Sequence, residues 1–224
     1  MPLDQFWHLT SPASATRYAE WDDDMDIEQV VCPIDDGHRR GGKRLSNLSI
    51  VLQNRKVHDF EWTWHNECLI QDHVLELFQR FGITGFDVKP VNTRLKHSSE
   101  HKPPKLWELV VTGWAGMTPP ESGIKLVKHC QGCGFLTYSG CEDTEKLIDV
   151  SQWDGNDFFM VWPLPGFIFV TNRVAQIIHD NGLTGSALKR PKELSLSGGF
   201  SPGRLSYWMP HERARRLGTA LGIY

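Results

Sequence analysis

The sequence predicts an α+β fold of two related halves, a tandem duplication in which each half runs knuckle, strands, helix and strand around a shared zinc-knuckle-like clasp. Three observations carry that prediction. Residues 69–89 (LIQDHVLELFQRFGITGFDVK) and 169–189 (FVTNRVAQIIHDNGLTGSALK) align without a gap at an offset of 100. Two aromatic segments, DFEWTW at 59–64 and DFFMVW at 157–162, precede these blocks. Further back, Cys32 falls 98 residues before Cys130.

Within the aligned blocks, Ile70, Val74, Leu77 and Phe78 match Val170, Val174, Ile177 and Ile178. Their spacing of i, i+4, i+7, i+8 is one face of a helix, so both helices should bury that stripe. Asp72 and Asn172 are N-cap residue types, and Gly82 and Gly182 stand where a helix exit needs positive φ. Residues 86–91 read as a strand, and the counterpart after Gly185 is less apolar. The aromatic segments read as strands that pair Trp62 with Trp162, with a two-residue indel between knuckle and helix.

A polar, Pro-containing stretch at 97–105 (HSSEHKPPK) reads as a surface loop. It sets the halves at 1–100 and 101–224, as two units or closed into one compact domain. Residues 106–112 and 124–129 are predicted strands, joined by a Gly/Pro-rich turn. Pro210 is expected at N1 of a short helix that Gly218 stops, and the remainder reads as irregular.

With 224 residues, 40% hydrophobic content and 9 Trp, the chain can fill a substantial core without disulfides. A net charge of -3 offers no footprint for a polyanion, so nucleic-acid binding is disfavoured. Residues 1–20 hold no apolar signal core, and no apolar run approaches membrane-spanning length. The five cysteines contain a single close pair, a spacing suited to chelation in a reducing, cytoplasmic compartment. Oligomeric state is not readable.

That pair lies in Cys130-Gln131-Gly132-Cys133-Gly134, a turn that presents two thiolates to one tetrahedral metal. The first knuckle reads Cys32-Pro33-Ile34-Asp35-Asp36-Gly37-His38, with Asp35 where a second thiolate belongs. Cys32, Cys130 and Cys133 are joined by Asp35, by His38, or by nothing. A structural zinc site is more usually Cys3His, so His38 is the expected fourth ligand, although its distance along the chain requires a loose loop. Cys68 is expected as a buried small hydrophobe at the start of the first helix. Cys141 lies in a polar loop, as an accessory ligand or an exposed thiol.

These residues resemble the double-CXXCG-motif proteins of myxobacteria. The resemblance runs from EQVVCPIDDGHRRGGKRLSNLSIVL through FEWTWHNECLIQDHVLELFQRFGITGFDVKPV to the second knuckle, and includes LWELVVTGWAGMTPPESGIKLV and GRLSYWMP. Its pattern carries over to Cys32, Cys130, Cys133, Gly134 and approximately Gly37, and departs at Asp35. Because some members are similar to immunity proteins, the resemblance implies a non-catalytic protein that neutralises a cognate toxin in a kin-discrimination system.

The acidic run that begins Asp22-Asp23-Asp24 could steer a basic toxin by charge, or be a solvated loop. An enzyme reading rests on His65-Asn66-Glu67 with Cys130-x-x-Cys133, an imitation of zinc deaminases that lacks their Pro before the first cysteine and their helix after the second. No GxSxG, P-loop or HExxH occurs, so no catalytic residue is assigned. A zinc-dependent scaffold or regulator is the alternative to an immunity protein.

Overall fold

A computed structural model describes residues 5–15, 18–38, 40–97 and 102–224. Of the expected junction at 97–105, residues 98–101 lie outside the described residues. In chain order the elements are β1 (Phe6–Thr10), β2 (Glu20–Trp21), β3 (Ile27–Val30), β4 (Arg40–Arg44), β5 (Ser49–Leu52), β6 (Phe60–Trp62), β7 (Cys68–Ile70), α1 (Asp72–Arg80), β8 (Phe86–Pro90) and β9 (Asn92–Leu95). There follow β10 (Trp107–Val111), β11 (Trp114–Met117), β12 (Leu126–His129), β13 (Leu136–Tyr138), β14 (Phe158–Trp162), β15 (Ile168–Thr171), α2 (Asn172–Asp180), β16 (Ala187–Lys189), α3 (Leu205–Trp208) and α4 (His211–Gly218). The fold is mixed α+β and mostly strand. No helix among the described residues is long and apolar enough to cross a membrane.

Two sheets organise the molecule, ordered β6-β7-β10-β8 and β11-β14-β15-β1-β16. Each takes one strand from the other half of the sequence, because β1 joins the later sheet and β10 the earlier. Trp7 lies opposite Val170 and Leu9 opposite Ile168, while Trp107 lies opposite Ile70 and Leu109 opposite Cys68. Trp7 and Trp107 therefore hold the same position in their sheets, as do His8 and Glu108.

Each of these indoles reaches the helix beside it. Trp7 Nε1 donates to Asn172 Oδ1 at 2.7 Å, and Trp107 Nε1 to Asp72 Oδ1 at 2.5 Å. Asp72 and Asn172 are accordingly not the N-caps their residue types predict. The caps are Gln71 and Thr171, neither with a side-chain cap bond, and the Asp and Asn oxygens serve a neighbouring strand. The predicted stripes are buried, through Val74, Leu77 and Phe78 on α1 and Val174, Ala175, Ile177 and Ile178 on α2. Gly82 and Gly182 take the positive φ expected of a helix exit, 58° and 59°.

The Gly-x-Thr-Gly turns join the sheets reciprocally. Thr84 N–H donates to Asp157 Oδ2 at 3.1 Å, and Thr184 N–H to Asp59 Oδ2 at 2.6 Å. Phe158 N–H in turn donates to Thr84 O, and Phe60 N–H to Thr184 O, both at 3.0 Å. Each Asp is backed by a basic side chain from the helix that follows its hairpin, His73 at 2.8 Å and Arg173 at 3.1 Å. Gly85 and Gly185 are required here: a Cβ on either would overlap the carbonyl oxygen of Phe158 or Phe60, and φ is 84° and 81°.

One apolar core runs through this junction, with Phe60, Trp62 and Phe78 packed with Phe158, Trp162 and Ile178. Register corrects one expected pairing. Phe60 faces Ile70 and Phe158 faces Val170, so the counterpart of Trp62 is Met160 rather than Trp162. The two-residue difference lies in the hairpin loops after β6 and β14. Outside the first sheet, where the sequence reads as irregular, β2, β5 and β9 form a small sheet over Leu48, Ile50, Leu52 and Leu95. Outside the second, Leu147 and Ile148 cover Phe159 and Phe169. Pro210 is the N-cap of α4 rather than its first residue.

Candidate metal centre

Two antiparallel hairpins supply the centre, β3–β4 with Cys32 and His38 in its loop, and β12–β13 with Cys130 and Cys133 in its turn. The loose first loop tightens where Asp35 O accepts from His38 N–H at 3.0 Å, which turns the imidazole inward. In the second, Gly134 N–H donates to Cys130 O at 2.8 Å and Cys130 N–H to Phe135 O at 2.9 Å. The hairpins meet face to face: a Cβ on Gly132 would stand 2.7 Å from Ile34 Cδ1.

Cys32, His38, Cys130 and Cys133 converge, all four buried, with their ligand atoms within 4.8 Å of one another. Cys32 Sγ is 3.5 Å from Cys130 Sγ, and Cys133 Sγ is 3.9 Å from His38 Nδ1. A tetrahedron with metal–sulfur bonds of about 2.3 Å has edges of about 3.8 Å, so these separations fit one small tetrahedral cation. Three thiols and an imidazole are the donor set such a cation takes, and Ile34 N–H points at Cys32 Sγ from 3.4 Å.

Asp35, the other expected fourth ligand, stands behind the imidazole. Its Oδ1 accepts from Gly37 N–H at 2.9 Å, and its Oδ2 lies 3.2 Å from His38 Nε2. The Gly37 N–H holds this carboxyl below its ordinary value. Lys128 Nζ lies 2.8 Å from the same Nε2 and 3.6 Å from Asp35. The two neighbours favour opposite tautomers. A proton on Nε2, directed at the carboxylate, would free Nδ1, the nitrogen that faces Cys133, to ligate.

Backbone N–H groups of Cys133 and Gly132 pull the Cys130 thiol down to about 6, so it is a thiolate at neutral pH. Burial pushes Cys133 up, and a cation at the centre would draw its sulfur into the ionised form. Two supporting groups have no signal in the knuckle spacing. Phe135 stacks on His38 at 4.6 Å, and Arg204 Nη2 donates to Cys133 O at 3.2 Å from far along the chain.

Other singled-out residues lie elsewhere. Asp22 is held by Arg94 through two bonds of 2.8 Å, and Asp23 and Asp24 are exposed. Glu67 is buried and takes hydrogen bonds from Trp21 Nε1 at 3.3 Å, Tyr207 OH at 2.6 Å and the Thr63 hydroxyl. His65 stacks on Trp21 at 3.6 Å. Neither joins the four-residue group. Cys68 is buried in β7 rather than at a helix start, and burial pushes its thiol up. Cys141 Sγ lies 3.2 Å from Ser122 O. In comparisons with known proteins, the chain matches no family model and no curated sequence.

Proposed function

We propose that the protein is a non-catalytic, immunity-type binding protein that neutralises a cognate toxin by occupying its surface, as the resemblance to double-CXXCG-motif proteins implies. The observation that supports its non-catalytic part is the buried Cys3His set, in which four protein donors would leave no coordination position open to a substrate. Cys32, Cys130, Cys133 and His38 would hold zinc, which when bound supplies cohesion between two hairpins 98 residues apart. Glu67 is unsuited to deaminase chemistry, because its oxygens are engaged by an indole and two hydroxyls. Reduced thiolates require a reducing compartment, which supports a cytoplasmic setting.

In the same reading the halves arose by tandem duplication. Support comes from the equivalent Trp7 and Trp107 bonds and from the reciprocal Asp59–Thr184 and Asp157–Thr84 contacts. The test is co-expression with the toxin encoded next to this gene, with rescue of growth and co-purification as the expected results. Failure of both removes the immunity reading. Less than about 0.2 equivalent of zinc in protein purified without chelator removes the clasp.

A further inference from the structure

Arg44 ends β4, the return strand of the hairpin that carries Cys32 and His38. Its guanidinium lies 5.4 Å from the ring centre of Tyr207 and reaches Glu108 in β10. Both side chains of this pair are only 6% exposed. The first metal hairpin is thus fastened to the first sheet by an ion pair that water in bulk does not reach.

The fastening uses a single hydrogen bond, from Arg44 Nη2 to Glu108 Oε1. Arg44 Nε, Arg44 Nη1 and Glu108 Oε2 are buried with no partner among the described residues. Each of these atoms gave up its hydration on burial, which is costly unless something replaces it. A guanidinium and a carboxylate often complete each other through two parallel bonds, and here the second bond is not made. Both residues instead line a cavity of about 20 Å³, together with Asn66, Tyr207, Met160 and Ile168.

That space and those atoms define an occupant. A buried water needs about 10–15 Å³ and two to four polar neighbours, whereas an organic ligand needs a pocket of several hundred Å³. Among small species, chloride would accept from Arg44 but could give nothing to Glu108 Oε2, and a small cation would meet the guanidinium. Water both accepts and donates. It satisfies Oε2 whether that oxygen is ionised or protonated.

We infer that this cavity is the site of one ordered water that bridges Arg44 to Glu108 Oε2 and completes the anchor of the first metal hairpin. The inference rests neither on the toxin-binding reading nor on a metal at the centre.

The test uses the unaltered full-length protein. In a high-resolution crystal structure, one density peak is expected within hydrogen-bond distance of Arg44 Nε or Nη1 and of Glu108 Oε2, without the anomalous signal of chloride. In solution, that water should cross-relax with the side-chain protons of Met160 and Ile168, which line the cavity and do not exchange with solvent. A cavity without a peak overturns the inference, and Arg44 Nε turned directly onto Glu108 Oε2 would show what replaces the water. A peak with the anomalous signal of chloride, or no cross-relaxation with either side chain, overturns it as well.

Discussion

The two halves of the sequence meet at two junctions of different make. At the centre, contacts come in reciprocal pairs, Asp59 with Thr184 and Asp157 with Thr84, and apolar packing surrounds them. At the periphery the clasp occurs once, and its apolar support amounts to Val30 and Phe135. Around it, Val31, Ile34, Leu126 and Val127 remain exposed. The central junction is held by burial and duplicated hydrogen bonds, whereas the clasp depends on a ligand set that exists only when the hairpins are already together. Damage at the centre should therefore be global, and damage at the clasp local.

The largest effect is expected from Phe158→Ala. Phe158 is fully buried and meets Phe78 edge-to-face at 5.4 Å, so truncation should cost about 3–5 kcal/mol. Denaturant unfolding checks this, and a loss below about 1 kcal/mol would mean that the core does not join the sheets. Gly85→Ala and Gly185→Ala should each cost about 1–3 kcal/mol, since both place a Cβ at positive φ against a carbonyl. Strongly unequal losses would break the reciprocity of the junction.

Cys130→Ser tests the contrast directly. It should lower Tm by roughly 4–8 °C, about 2 kcal/mol for a chain of this size. Amide exchange should accelerate in β3–β4 and β12–β13 while the strands of the two central sheets stay protected. Equal melting temperatures for mutant and parent would contradict a structural clasp. The Cys130 thiol also gives a pH signature. In the metal-free protein its folded value is depressed from 9.0 to about 6, so the stability it confers there is complete above pH 9 and is lost as pH falls through 6. In Cys130→Ser that part of the pH dependence should vanish.

What the sequence made legible follows physical range. The stripes on α1 and α2 were readable because helical periodicity is local. The proximity of Cys32, His38, Cys130 and Cys133 was within reach because thiol and imidazole chemistry admits few other uses for such a set. Strand exchange was not readable: Trp7 and Trp107 stand 100 apart in the sequence, but nothing local tells β1 to leave its own half. Asp72 and Asn172 misled as caps for the same reason, since the indoles that claim their oxygens come from distant strands. Strands as short as β2 leave too few residues for an alternating pattern to register.

Asp35 sharpens the comparison at its smallest scale. The knuckle spacing puts it where a thiolate belongs, yet an Asp side chain readily bonds the backbone two residues on, and here it takes Gly37 N–H. That turn carries Oδ2 to His38 Nε2, converting a missing ligand into an orienting acceptor. Asp35→Asn preserves shape and the Gly37 bond but removes the charge that favours protonated Nε2. It should weaken metal affinity by about 10–100-fold, with little change in the stability of the metal-free protein. Chelator competition measures the first and denaturation in chelator the second. Unchanged affinity would reduce Asp35 to a turn residue, whereas loss of metal-free stability would place its role in the hairpin rather than at the metal. His38→Ala should weaken affinity further still, because it removes a donor rather than the group that aims it.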